Sequence, residues 1–102
     1  MTRKGDDHRM RNETRLKPNG LDWLAHRNRD RWIKPNGELH QARILADASI
    51  SRSTLNRVER GECLPGQKFI DGFLDLAETT GASREHARVE MFERVRAERP
   101  RG

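Results

Sequence analysis

Apolar residues recur at helical spacing along most of the chain, and this pattern predicts helices separated by polar breakers. The segments 21–33 and 38–48 each place leucine, isoleucine or alanine on one face. The segments 52–60, 65–81 and 83–99 continue the pattern, and each is followed or closed by glycine or proline. The tetrapeptide KPNG, at residues 17–20 and 34–37, supplies turns around the first helix. No segment has the pattern of a strand, so the sequence predicts an all-α chain of about five helices.

Composition and charge limit the classes of function. Apolar residues make up only 32% of the chain and charged residues 36%, which predicts one core of moderate size with solvated ends. The formal net charge of +5 favours a phosphate-rich partner or an anionic surface. No apolar run reaches the length of a membrane span, and Cys63 is the single cysteine. We therefore expect a cytoplasmic protein that has no disulfide and does not enter a membrane.

The same residues give no sign of catalysis. The four histidines lack the spacing of metal ligands, and no nucleophile–base pair or pair of carboxylates stands out. We expect neither a metal nor a cofactor, and no enzymatic activity. Trp23 and Trp32 are two of only five aromatic residues, so we expect them to pack in the core. An ordinary reduced loop cysteine is expected at Cys63.

The chain divides into three regions by composition. Residues 1–17 carry six basic and three acidic side chains, a net charge of +3, and predict a flexible basic arm. The alternative is an arm that follows a nucleic-acid backbone or enters a minor groove. Residues 18–82 form the predicted domain, and residues 83–102 form a C-terminal helix. Its apolar residues either complete the core or, as we favour, form a dimer interface: Met91, Phe92 and Val95.

The helix predicted for residues 52–60 has two chemically different faces. At about 100° per residue, Leu55 and Val58 fall on the side opposite a polar face. That polar face holds Arg52, Ser53, Asn56, Arg57 and Arg60, and Glu59 lies towards its edge. Arginine can bond guanine through two hydrogen bonds, and asparagine can do the same with adenine. The composition of this face therefore suits contact with DNA bases.

The segment HQARILADASISRSTLNRVERGECLP, residues 40–65, resembles the helix-turn-helix of the Cro/phage-repressor-like (XRE-type) family of DNA-binding regulators. Members of that family have a glutamine opening the first motif helix, a tight turn, and a serine-capped recognition helix. A Glu-Arg/Asn-Gly sequence and a proline follow. This chain matches at Gln41, Ser51, residues 59–61 and Pro65. The resemblance covers residues 21–81 and implies a phage-repressor-like domain.

Two positions depart from the family pattern, and both lie at the turn. The family usually has glycine, with positive φ, where this chain has Ser49; a serine adopts that conformation at a cost of about 1 kcal/mol. The family also tends to have a small residue at the position of Leu45. The leucine implies either a shifted helix register, with Ala46 making the close contact, or a wider crossing of the two helices.

The resemblance also assigns roles to individual residues. It implies that Arg52, Ser53 and Arg57 face base edges in the major groove, with Asn56 beside them. The candidates for phosphate contacts are Gln41, Arg43, Arg60 and Lys68. A solvated surface charge is an equal alternative for Arg43 and Lys68. Glu59 would be internal and paired with Arg27 or Arg31. Three acidic residues make the helix 65–81 a poor DNA surface, and we expect it to face away from the duplex.

These expectations favour a transcriptional regulator that binds double-stranded DNA. A homodimeric repressor of phage, plasmid or mobile-element type, acting on a palindromic operator, is the first hypothesis. The second is an antitoxin, which would use the same domain for autoregulation and another surface to bind a toxin. The third is a non-specific nucleic-acid binder, held by charge alone.

Overall fold

Six helices account for most of the chain between residues 12 and 96, the part that this computed structural model describes. They are α1 (Gly20–His26), α2 (Arg29–Trp32), α3 (Gln41–Ala48), α4 (Arg52–Glu59), α5 (Gln67–Glu78) and α6 (Arg84–Met91). Two strands, β1 (Asn12–Leu16) and β2 (Phe92–Arg96), form an antiparallel two-stranded sheet. The protein is mostly helical, as predicted, but the prediction that it contains no strand is wrong.

The two strands occupy residues that we expected to belong to a flexible arm and to the last helix. The last helix was predicted to run to residue 99 but ends at Met91, and Phe92 already has extended dihedral angles (φ −127°, ψ 156°). Residues 12–16 belong to the predicted flexible arm and instead pair with β2, with Leu16 opposite Phe92. Residues 1–11 of that arm, and residues 97–102, lie outside the described part. This pairing joins segments far apart in sequence, so local periodicity does not reveal it.

The first predicted helix is divided in two. In place of one helix over residues 21–33 the structure has α1 and α2, separated at Asn28, whose φ of −146° is not helical. Trp32, at the end of α2, is 1% exposed, and Trp23 of α1 packs partly buried against the core. The prediction that both tryptophans serve packing is confirmed.

Helix α5 lies at the centre of the core. It buries six apolar side chains: Phe69, Ile70, Phe73, Leu74, Leu76 and Ala77. Other fully buried side chains come from the elements around it: Leu24, Trp32, Ile44, Leu55 and Met91. Since each fully buried large apolar side chain contributes about 1.5–3 kcal/mol, this single core accounts for most of the favourable free energy of folding.

The predicted dimer interface on the last helix is wrong for two of its three residues. Met91 is 0% exposed and Phe92 is 3% exposed, and both belong to the core of the single chain. The ring of Phe92 stands 6.4 Å from the ring of Phe69 on α5, in an edge-to-face arrangement. Burial within one chain removes these side chains from the surface that a second copy would contact. Val95, on β2, is half-buried.

The turn between α3 and α4 is tight. Ser49 has φ 60° and ψ 44°, the left-handed conformation expected at this position. Its N–H donates to the carbonyl oxygen of Ala46 at 3.2 Å, and the N–H of Ile50 donates to that of Leu45 at 2.9 Å. These bonds satisfy the last carbonyl groups of α3 and direct the chain into α4.

Leu45 does not shift the register of α3. Leu45 is 4% exposed and Ala46 is exposed, so the alternative in which Ala46 makes the close contact is wrong. A separate close approach lies at the end of the helix, where the backbone of Ala48 meets Gly72 of α5. A Cβ atom on Gly72 would lie 2.7 Å from the carbonyl oxygen of Ala48. Glycine at this position therefore lets α5 pack directly against the end of α3.

Candidate nucleic-acid interface

Helix α4 begins at a serine cap. Ser51 has extended dihedral angles, and its hydroxyl oxygen accepts a hydrogen bond from the backbone N–H of Thr54 at 3.2 Å. The same oxygen lies 2.8 Å from the hydroxyl of Thr54. Gly61, with φ 77°, follows the end of the helix in the conformation that favours glycine. The predicted cap and stop of this helix are both confirmed.

Burial of one face fixes the orientation of α4. Leu55 is 0% exposed, and Thr54 and Val58 are half-buried on the same side. The four predicted base-contacting side chains are all exposed: Arg52, Ser53, Asn56 and Arg57. Residues four apart lie on one face of a helix, so Arg52 adjoins Asn56, and Ser53 adjoins Arg57. The surface of α4 is thus one continuous polar face of short and cationic side chains, held outward by Leu55.

The predicted phosphate-contacting residues lie around this helix. Gln41 is the half-buried first residue of α3 and lines a cavity together with Val58 and Glu59 of α4. Lys68 is exposed on α5 and lines a shallow depression beside Ser49, at the turn before α4. The structure therefore places Gln41 near the C-terminal end of α4 and Lys68 near the turn that precedes it.

Two arginines complete the predicted set. Arg43 is exposed on α3. Arg60 is exposed at the C-cap of α4, where its Nε lies 3.0 Å from a carboxylate oxygen of Glu62. Both members of that pair are at least half-exposed, so the pair adds little to stability and Arg60 remains accessible to a phosphate.

The expected role of Glu59 is wrong. Glu59 is exposed rather than internal. The two arginines proposed as its partners bind elsewhere: Arg27 donates from Nε to the hydroxyl of Thr80 at 2.7 Å, and Arg31 binds Asp47. In this chain, therefore, helix α2 is tied to α3 rather than to α4.

Asp47 is the acceptor that ties α2 to α3. Arg31 donates to its two carboxylate oxygens from Nε at 2.7 Å and from Nη2 at 2.8 Å, and Trp32 donates from Nε1 at 2.8 Å. The bonds from Arg31 and, to a smaller extent, the bond from Trp32 lower the pKa of Asp47 from 3.8 to about 2. The hydrogen bonds to Asp47, together with its negative charge, raise the pKa of Arg31. Sequence analysis missed this group because its members are 15 and 16 residues apart.

A cavity of about 470 Å³ lies beside the C-terminal end of α4. Its walls come from β1, the start of α1, α4 and the loop after α4, and include Leu16, Val58 and Leu64. Arg15 and Lys17 also line it, which brings two basic residues of the predicted arm next to Gln41 and the end of α4. Only the pairing of β1 with β2 puts them there, so no local sequence signal could have identified them.

The acidic side chains of α5 are grouped around one arginine. Arg84, at the start of α6, forms ion pairs with Asp71 at 2.8 Å, Asp75 at 2.7 Å and Glu78 at 3.1 Å. These bonds, led by the one to Asp75, raise the pKa of Arg84. The remaining negative charge on α5 is consistent with the expectation that this surface would repel DNA, which stays a prediction.

Between residues 12 and 96 the structure has neither a candidate metal site nor a helix that could span a membrane. No group of three His, Cys, Asp or Glu side chains in this region is arranged to hold a metal ion. No helix of the described region is long and apolar enough to cross a membrane. Cys63 is a free thiol on the surface, in the loop that follows α4.

Comparison of the chain with protein-family models, with curated proteins and with solved structures finds no match in any of the three.

Proposed function

We propose that this protein is a transcriptional regulator that binds double-stranded DNA in a sequence-specific manner through a phage-repressor-like helix-turn-helix. The proposal rests on the way α4 is held and on the side chains that it exposes. Helix α4 follows a tight left-handed turn at Ser49, is capped by Ser51, and is anchored by the fully buried Leu55. Its outward face presents two arginines, a serine and an asparagine. These side chains can form hydrogen bonds with the base edges that distinguish base pairs in the major groove.

In the proposed complex, α4 lies in the major groove. Arg52 and Arg57 donate to guanine edges, Asn56 bonds an adenine edge, and Ser53 allows the helix to approach closely. The residues around α4 bind the phosphates on either side: Gln41 at one end, Lys68 near the turn, and Arg43 and Arg60 beside them. The net charge of +5 adds a sequence-independent attraction that weakens as salt increases.

The regulator would act as a homodimer on a palindromic operator, as a repressor of phage, plasmid or mobile-element type. Two copies of α4, related by a two-fold axis, would enter successive major grooves about 34 Å apart. Repression would follow from occupancy of an operator that overlaps the site where transcription begins.

Selection of bound sites from a pool of random duplex DNA tests the proposal. The expected result is an enriched palindromic consensus that contains guanine and adenine at the positions facing α4. The double variant R52A/R57A should lose the enrichment and keep its helical circular dichroism, since both side chains are exposed. Binding without any enriched sequence, equal for wild type and variant, would instead identify a non-specific nucleic-acid binder.

A further inference from the structure

The outer edge of β1 carries backbone groups that are not paired within the described region. The N–H of Lys17 donates to the carbonyl oxygen of Met91 at 2.8 Å, which continues the β1–β2 register. In an antiparallel pair, alternate residues direct their N–H and C=O groups towards the partner strand. Residues 13, 15 and 17 therefore face β2, and Thr14 and Leu16 direct their backbone groups to the opposite edge. Between residues 12 and 96, no other strand covers that edge.

A two-stranded sheet gains little stability by itself and leaves two open edges. An edge strand of this kind accepts another strand when charge and register allow it. Glu13 and Arg15 flank Thr14, and their side chains form an ion pair at 2.8 Å on one face of β1. A second copy of the same segment can therefore supply an opposite charge to each of them.

The register of such a pair follows from the two-fold symmetry. With antiparallel strands centred on Thr14, each Thr14 N–H donates to the Thr14 carbonyl oxygen of the second copy. Glu13 of each copy then lies opposite Arg15 of the other copy. These are non-hydrogen-bonded positions, where facing side chains come closest. The outward backbone groups and the charges thus favour the same register.

The opposite edge of the sheet lacks this complementarity. On β2, the residue opposite Thr14 is Arg94, so Arg94 directs its backbone groups to the other open edge. Self-pairing of β2 centred on Arg94 would place two arginines directly opposite each other, a repulsive arrangement. Of the two edges that no further strand covers between residues 12 and 96, the edge of β1 is the one that suits a second copy of this chain.

We propose that two copies of this protein associate through β1, antiparallel and centred on Thr14, to form a four-stranded sheet in the order β2-β1-β1-β2. The partner is a second copy of this chain. The dimer itself is argued without the proposed function. Only its consequence, that a two-fold dimer fits a palindromic operator, rests on that function. The association is measured without DNA, so failure of the interface and failure of DNA binding are separate results.

Proline substitution distinguishes the two edges. Thr14→Pro removes the outward N–H of β1, and the matched control Arg94→Pro removes the outward N–H of β2; neither removes a β1–β2 hydrogen bond. In sedimentation equilibrium without DNA, wild type and R94P should dimerise and T14P should remain monomeric with unchanged helical circular dichroism. A wild type that is monomeric at millimolar concentration overturns the proposal. So does a folded T14P that dimerises like the wild type.

A charge exchange tests the register and does not depend on proline. Glu13→Arg and Arg15→Glu, each alone, place like charges opposite each other across the two-fold axis, and each should raise the dimer dissociation constant roughly tenfold. An equimolar mixture of E13R and R15E restores opposite charges and should form a heterodimer about as tightly as the wild type forms a homodimer. Mixing that does not restore association overturns the Thr14-centred register.

Discussion

The indole Nε1–H of Trp32 donates a hydrogen bond to the Oδ2 atom of Asp47 across 2.8 Å. Trp32 is 1% exposed, so this bond reaches from the core to a carboxylate near the surface. The carboxylate also receives the two bonds from Arg31 and lies on α3, two residues before the turn that leads into α4. The helix that leads into the turn before α4 is thus held by a polar contact as well as by apolar packing.

Replacing Asp47 should lower stability and change its dependence on pH. Because the pKa of Asp47 falls from 3.8 to about 2 on folding, its contribution is complete above about pH 5 and is lost as the pH falls towards about 2. Asp47→Asn removes charge-assisted bonds, so we expect the free energy of unfolding at neutral pH to fall by about 1–3 kcal/mol. Urea unfolding at neutral and acidic pH measures both effects.

The matched control for this prediction is Asp30→Asn, which changes an exposed acid on α2. It should leave stability nearly unchanged at neutral pH. If D47N and wild type lost stability equally on acidification, the ion pair with Arg31 would not contribute in solution.

Substitution of Gly72 should disturb the packing of α5 against α3. A Cβ atom there would meet the Ala48 carbonyl oxygen at 2.7 Å and the side chain of Ile50 at 3.3 Å. Since the first neighbour is backbone, the helices must move apart, and we expect Gly72→Ala to cost about 1–3 kcal/mol. Thermal and urea unfolding would measure the loss. Gly66→Ala, where nothing lies within 4 Å and φ is −84°, should cost less than about 1 kcal/mol.

Glycine at position 49 should stabilise the chain. Ser49 has φ 60° and is the only non-glycine residue with positive φ among those described. Ser49→Gly removes the Cβ strain, and we expect a gain of about 0.5–1 kcal/mol in the free energy of unfolding. Ser49→Ala keeps a Cβ atom and should show no gain. A loss of stability in S49G, measured by urea unfolding, would mean that the serine side chain contributes more than its backbone strain costs.

Removal of Arg57 should weaken binding to the selected operator more than binding to other DNA. Arg57 is exposed on α4, and its proposed contact is to a base edge. We expect Arg57→Ala to cost about 1–3 kcal/mol on the operator and to change non-specific affinity little. Fluorescence anisotropy with operator and scrambled duplexes, at one fixed salt concentration, provides the comparison.

Arg88→Ala is the charge-matched control, because Arg88 is exposed on α6 and outside the proposed interface. It should weaken both duplexes slightly and equally. An R57A variant that behaves like R88A would exclude a base contact by Arg57.

Local sequence patterns predicted most of the helical part of this chain. The apolar spacing of residues 52–58, the cap at Ser51 and the glycine at position 61 indicated α4, and the structure has each of them. Exposure of Arg52, Ser53, Asn56 and Arg57 followed from the same periodicity. These features depend on residues within one or two turns of each other, so a short segment contains the necessary information.

Only the tertiary structure decided the features that join distant segments. Pairing of β1 with β2 ended the last helix at Met91, buried Met91 and Phe92 within one chain, and brought Arg15 beside the end of α4. Contacts across space likewise selected Asp47, and not Glu59, as the partner of Arg31. A short segment such as residues 92–96 has no strong preference of its own. Its conformation is set by the hydrogen bonds and apolar contacts that a distant strand offers, which no local pattern contains.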